Sequence, residues 1–161
     1  MTLCGFTAVV PKAGIVRPNV GSAKSNRGVT TPSTTEVEAR SYELDPYGHL
    51  NNAVYVNWLE HGRLCFLRNR GESYTSIPDK FGVHVVVVRQ EVDYRIQVNL
   101  GDRLEIRSEI EHFGRSSFRF HQEFRYEDGR IAANAKVTMV CVGPDDRAAP
   151  MPDALRRILD S

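Results

Sequence analysis

The sequence predicts an α+β domain: a mostly antiparallel sheet of about five strands packed against one long helix. Three observations carry this expectation. Val54, Tyr55, Trp58, Leu59, Gly62, Cys65 and Phe66 fall at three- and four-residue spacing, a single apolar stripe over ~3 to 4 helical turns. From Val83 onward the period changes to two, in segments rich in β-branched and aromatic residues. Those segments are separated by tight-turn signals, so the strands are expected to follow one another as antiparallel neighbours.

Taken in order, Glu36 to Leu44 alternates and reads as a first strand. Asp45-Pro46-Tyr47-Gly48 is a turn, because proline sets its own φ and glycine permits a left-handed position. Asn51 or Asn52 then suits the N-cap of the long helix, which runs to Asn69 or Arg70 with Gly71 beyond its end. Gly62 in mid-helix costs ~1 kcal/mol relative to alanine, which points to a close approach between helix and sheet. Val83 to Gln97 is the next strand, and its unbroken Val85–Val88 run fits burial on both faces. Gly101-Asp102 turns into a strand over Arg103 to Phe113, and Gly114-Arg115 leads to another over Ser116 to Tyr126. Glu127-Asp128-Gly129-Arg130 carries a D-G hairpin signal before a last strand, Ile131 to Val142. Ala154 to Leu159, after Pro152, is expected as a short terminal helix.

The 161 residues are 41% hydrophobic and 25% charged with a formal charge of +1, averages of an ordinary globular chain. No apolar run approaches the ~20 residues of a membrane-spanning helix. Near-neutral charge argues against nucleic-acid binding, which calls for a basic face. Three cysteines without a C-x-x-C pair fit neither a disulfide framework nor a zinc site, and they agree with a reducing compartment. The charge is unevenly spread. Residues 1–35 contain Lys12, Arg17, Lys24 and Arg27 and no acidic residue, whereas the remainder holds 17 basic against 20 acidic residues. This segment reads as a flexible N-terminal extension, with an organelle transit peptide as the alternative. The domain is expected over residues 36–161, in the cytoplasm.

The chemistry is concentrated in Asp45-Pro46-Tyr47-Gly48-His49-Leu50-Asn51-Asn52-Ala53-Val54-Tyr55. A carboxylate, an imidazole and two amides fall within eight residues at a strand-to-helix junction. Free N–H groups at a helix start attract negative charge and can hold a developing oxyanion. A carboxylate just upstream can attack a carbonyl held there, or activate water to do so. The bland alternative is that Asp45 and Asn52 only cap turn and helix while His49 lies on the surface. No metal-ligand spacing accompanies the run, since His49 and His61 stand 12 apart without paired cysteines.

This run, followed by V-N-W-L-E-H-G-R at Val56 to Arg63, resembles the hot-dog-fold acyl thioesterases of the 4-hydroxybenzoyl-CoA thioesterase type. The similarity continues in G-D-R-L at Gly101 to Leu104, G-R-S-S at Gly114 to Ser117, T-M-V-C-V at Thr138 to Val142 and R-A-A-P-M-P at Arg147 to Pro152. The Y-E-L-D and N-N-A-V-Y portions also look like plant acyl-carrier-protein thioesterases. The resemblance implies a hot-dog fold, hydrolysis of acyl thioesters of coenzyme A or acyl carrier protein, no cofactor, no metal, and a homodimer or homotetramer. It implies Asp45 as nucleophile or general base, the Asn52 backbone N–H as oxyanion donor, and His49 with Gly48 as the pair beside them. Asn51 shapes the loop.

Arg115, next to Ser116, falls where relatives place basic residues on nucleotide phosphates, a contact that suits a guanidinium. Tyr55, Trp58 and Leu59 with Val86 or Val88 are expected to line the acyl pocket, though they are equally ordinary core residues. Glu60, like Glu91 and Asp93, reads as a solvated or interface residue. Two other readings stay open on the residues alone: a dehydratase acting on 3-hydroxyacyl thioesters, and a non-catalytic acyl-CoA-binding module.

Overall fold

The computed structural model describes residues 30–161. Its elements are β1 (Ser33–Glu38), a 3₁₀ turn (Ser41–Glu43), α1 (Asn52–Arg68), α2 (Ser76–Phe81), β2 (His84–Tyr94), β3 (Arg103–Phe113), β4 (Ser117–Tyr126), β5 (Ile131–Val142) and α3 (Asp153–Leu159). The five strands form one antiparallel sheet in the order β1-β3-β4-β5-β2. The α+β architecture with one long helix on a five-stranded sheet is the expected hot-dog arrangement.

Alternation along β3 and β4 builds both faces of the sheet. Leu104, Ile106 and Ile110 with Phe118, Phe120 and Phe124 turn inward and are buried. Their outward neighbours form a charged ladder in which Arg107 pairs with Glu109 and Arg125 with Glu123. The helix lays its stripe on the inner face. Tyr55, Trp58 and Leu59 pack with Leu104, Ile106, Phe124 and Ala133, whereas Phe66 and Leu67 join a second cluster with Ile110, Phe118, Phe120 and Leu155. Between the clusters a Cβ on Gly62 would stand 2.9 Å from Gln122 Nε2, Ile106 Cγ2 and Ser108 Oγ. This is the close approach that the mid-helix glycine predicts.

Four expectations are corrected. The first strand covers Ser33–Glu38 rather than Glu36–Leu44, because β3 begins at Arg103, the partner of Glu38, and offers no ladder beyond it. Residues 30–35, assigned to the extension, are therefore partly built into the sheet: Thr30 Oγ1 accepts from the Ile110 N–H, and Ser33 pairs with Ser108. The rest of that extension, residues 1–29, lies outside the described residues. The helix α2 was not expected. Thirdly, the run Val85–Val88 is not buried on both faces. Because β2 closes the sheet order it has β5 on one side alone, and Val86, Val87 and Val88 are 40%, 45% and 57% exposed. Lastly, β2 ends at Tyr94, short of Gln97.

Candidate active site

The loop between the 3₁₀ turn and α1 is closed on itself by backbone hydrogen bonds. Asp45 N–H donates to His49 O (2.7 Å), Gly48 N–H to Asp45 O (3.0 Å) and Asn51 N–H to Glu43 O (2.9 Å). Gly48 has φ +79° with open space where a side chain would be, so backbone conformation rather than crowding calls for glycine there. The loop is tied to the Asn99–Asp102 turn by Leu50 N–H to Val98 O (2.7 Å) and by a bridge between His49 and Asn99. Asp102 steadies that turn, its Oδ2 accepting from the Asn99 N–H (2.9 Å) and the Tyr126 hydroxyl (3.0 Å).

Within this frame Asp45 is half-buried, and its Oδ1 accepts from the N–H groups of Tyr47 (2.9 Å) and His49 (3.1 Å). Among the described residues its Oδ2 takes no hydrogen bond, which leaves one oxygen of an oriented carboxylate for chemistry. His49 thus holds Asp45 through its backbone; its imidazole makes no hydrogen bond among the described residues.

Six residues beyond Asp45, Asn51 caps α1, its Oδ1 accepting from Ala53 N–H (2.9 Å). Val54 N–H goes to Asn51 O (3.0 Å), whereas the Asn52 N–H has no acceptor among the described residues. With no acidic residue in the first turn of α1, its positive end is uncompensated by the chain. A free carboxylate oxygen and a free N–H at a helix start are thus carried on one closed loop. An anion or a polarised carbonyl oxygen is the natural occupant of the second.

The remaining expected site residues divide. Gly48 and Asn51 belong to the loop. Tyr55 is core: its ring meets Tyr94 (5.0 Å) and Phe124 (5.2 Å) edge-on, and burial, with Tyr94 and Asp102 nearby, pushes its phenol up to about 12. Trp58 is 7% exposed and borders a cavity of ≈ 840 Å³, its indole N–H 3.4 Å from Glu43 Oε1. Glu43 was overlooked as a candidate. Its other oxygen takes the Arg40 N–H (2.9 Å), so it joins the loop base to α1. The Y-E-L-D segment contained this carboxylate, but no local pattern marks a contact fifteen residues away.

Val86 and Val88, expected beside Tyr55 in the acyl pocket, are exposed on β2 in the single chain. Arg115 and Ser116 do not join Asp45 within the chain. They follow the end of β3 remote from the Asp102 turn, and the eleven residues of β3 separate the two ends by ~30 Å. Glu60 is exposed on α1. Among the described residues no group of three His, Cys, Asp or Glu side chains is arranged to hold a metal ion, and no helix is long and apolar enough to cross a membrane.

Comparison with known proteins gives this arrangement its relatives. Escherichia coli FadM, a long-chain acyl-CoA thioesterase, is 33% identical over 109 residues, 67% of this chain and 81% of that protein. The chloroplastic acyl-acyl carrier protein thioesterase ATL3 of Arabidopsis thaliana is 25% identical over 134 residues, 83% of this chain and 70% of its own. The crystal structure of YbaW from Escherichia coli superposes with a TM-score of 0.71 at 30% identity, covering 79% of this chain and 96% of that one. Residues 39–159, which hold the Asp45 loop, α1 and four of the five strands, match the model of the Thioesterase-like superfamily, and the chain belongs to that family.

Proposed function

We propose that this protein hydrolyses acyl thioesters, releasing a carboxylic acid from coenzyme A or from acyl carrier protein. The observation that carries this reading is the closed loop, with its free Asp45 oxygen and its unaccepted Asn52 N–H. In the proposed reaction the thioester carbonyl oxygen accepts from the Asn52 N–H at the positive start of α1. Asp45 then either attacks the carbonyl carbon, forming a mixed anhydride that water opens, or takes a proton from the water that attacks. Either route breaks the C–S bond, and the sulfur leaves as thiolate and takes up a proton. The helix terminus stabilises negative charge as it develops on oxygen, which is where such an interaction accelerates the reaction. The imidazole of His49, which makes no hydrogen bond among the described residues, is assigned to orienting water or substrate.

The same reading takes the working unit to be a homo-oligomer. The bare edge of β2, with its exposed valines, is a template for pairing with a second copy. Two β2 strands paired antiparallel about a two-fold axis set the His84 end of one beside the Tyr94 end of the other. His84 pairs with Val142 at the end that carries Arg115, and the Tyr94 end leads to Val98, which holds Leu50. Arg115 and Ser116 of one copy then serve the Asp45 site of its partner, where the guanidinium meets a phosphate of the thiol carrier.

The test is a panel of short, long and aromatic acyl thioesters, each on coenzyme A and on carrier protein, assayed for free acid and free thiol. Stoichiometric release of both supports hydrolysis. A 2-enoyl product in place of acid would assign the site to dehydration, and tight binding without turnover would make it a binding module.

A further inference from the structure

The Asp45 loop is braced by a turn that lies far from it in sequence. The turn at residues 99–102 meets the chain both before and after Asp45. On the near side, Ala39 N–H donates to Asp102 O (3.0 Å) and Gly101 N–H donates to Ala39 O (2.8 Å). On the far side, Leu50 N–H donates to Val98 O (2.7 Å) and His49 bridges to Asn99. The 3₁₀ turn, Asp45 and the loop are strung between these two attachments. A shift of the turn therefore moves both supports of the Asp45 carboxylate.

One pair of side chains pins the turn. Asp102 Oδ2 accepts from the Asn99 N–H (2.9 Å), from Asn99 Nδ2 (3.5 Å) and from the Tyr126 hydroxyl (3.0 Å). The first two bonds close the turn on itself, and the third reaches it from the end of β4. The same hydroxyl lies 3.1 Å from Gln97 O, so its one proton is shared between a carboxylate and a carbonyl. Burial and the bond to Asp102 push the Tyr126 phenol up from its ordinary value, and the hydroxyl stays a donor. The ring is held as well. It packs against the cluster of Tyr55, Leu104 and Phe124, and the Arg130 guanidinium lies over it at 4.7 Å.

From Tyr126 to the site the line of contacts is continuous. The phenol holds Asp102, Asp102 holds Asn99, and Asn99 is bridged to His49. The His49 N–H is in turn one of the two donors on Asp45 Oδ1, at 3.1 Å. Reactions that depend on a held geometry lose rate steeply when a reacting group is slightly misplaced. We propose that Tyr126 and Asp102 are positioning residues of the Asp45 site, fixing its carboxylate relative to the Asn52 N–H through the turn and the His49 backbone. This inference rests on the proposed hydrolysis.

Tyr126→Phe removes one hydroxyl and keeps the ring in its packing. On the best thioester of the panel, kcat falls about tenfold, the scale of a hydrogen bond to a charged group, while KM stays within about twofold. Asp102→Ala lowers kcat further, and Asp102→Asn, which keeps a side-chain oxygen for Asn99 and Tyr126, recovers most of that loss. Because the two residues act along one path, adding Tyr126→Phe to Asp102→Ala costs nothing more. Amide hydrogen exchange reads the brace without turnover: Tyr126→Phe speeds exchange at His49 and Leu50 and leaves Phe120, in the middle of β4, as in the unaltered chain. If the unaltered chain hydrolyses no thioester, the proposed function falls, and exchange at His49 alone decides whether the brace exists. Four results overturn the proposal: full kcat in a folded Tyr126→Phe protein, a loss confined to KM, additive losses in the double variant, or unchanged exchange at His49.

Discussion

Replacing Gly62 with alanine measures how closely α1 is held to the sheet. In an exposed helix this change stabilises by ~1 kcal/mol, the difference in intrinsic propensity. Here the added methyl lies 2.9 Å from three side-chain atoms of β3 and β4, closer than packed carbons approach. Overpacking of this kind costs about 1–3 kcal/mol. The atom most able to move is Gln122 Nε2, but that amide donates to Leu59 O (3.0 Å) and Ser108 Oγ (2.8 Å), while its Oε1 accepts from Arg63 Nη1 (3.0 Å). Both Gln122 and Arg63 are buried, and a buried polar group left without its partner costs about 1–3 kcal/mol more. After the propensity gain, Gly62→Ala is expected to lose about 1–5 kcal/mol. Urea unfolding followed by Trp58 fluorescence and far-UV circular dichroism gives the value, with the midpoint lowered and the denaturant slope unchanged. A midpoint equal to or above that of the unaltered protein would refute the close-approach argument.

Other outcomes follow from the same contacts. Asn51→Ala removes the side-chain cap of α1 and is expected to cost ~1 kcal/mol in the same unfolding assay, together with a loss of turnover as the loop slackens. Tyr55 has its pKa raised from 10.0 to about 12 by burial, so the folded chain holds that proton more tightly than the unfolded one. Its contribution is intact below pH 10 and is lost as pH climbs toward 12; Tyr55→Phe should flatten the alkaline fall in stability over that window. Burial pushes the Cys141 thiol up to about 11, so an aromatic disulfide reagent at pH 8 should leave Cys141 unmodified until the chain unfolds. Val88→Lys places a charge on the free edge of β2; sedimentation should show a folded monomer with impaired hydrolysis, whereas an unchanged oligomer would remove β2 from the interface.

Periodicity made the architecture legible because each inner-facing set is continuous. The stripe from Tyr55 to Phe66, with Val54 half-buried at its start, and the alternation Leu104, Ile106, Ile110 appear in the structure as buried sets. What it could not convey is which strand lies at the edge. An apolar run fits a strand covered on both faces or one that awaits a partner, and Val85–Val88 is the second kind in the single chain. The helix Ser76–Phe81 is too short to display a period. Its signals are chemical: Pro78 in the first turn, where its missing N–H costs nothing, and Gly82 at φ +69° closing the end. The Asp45 loop was readable as a unit because turn, glycine and cap are local. The convergence of Glu43 on Trp58, and the distance of Arg115 from Asp45, depend on how strands pair, which spacing along the chain does not encode.

The role of Asp45 is the central claim, and turnover by Asp45→Asn tests it most directly. The asparagine keeps a side-chain oxygen to accept from the Tyr47 and His49 N–H groups, so the loop and the urea midpoint should be preserved. Loss of the nucleophile or base should lower kcat on the best acyl-CoA or acyl-carrier-protein substrate by about 10²- to 10⁴-fold. Wild-type turnover by a folded Asp45→Asn protein would contradict the account.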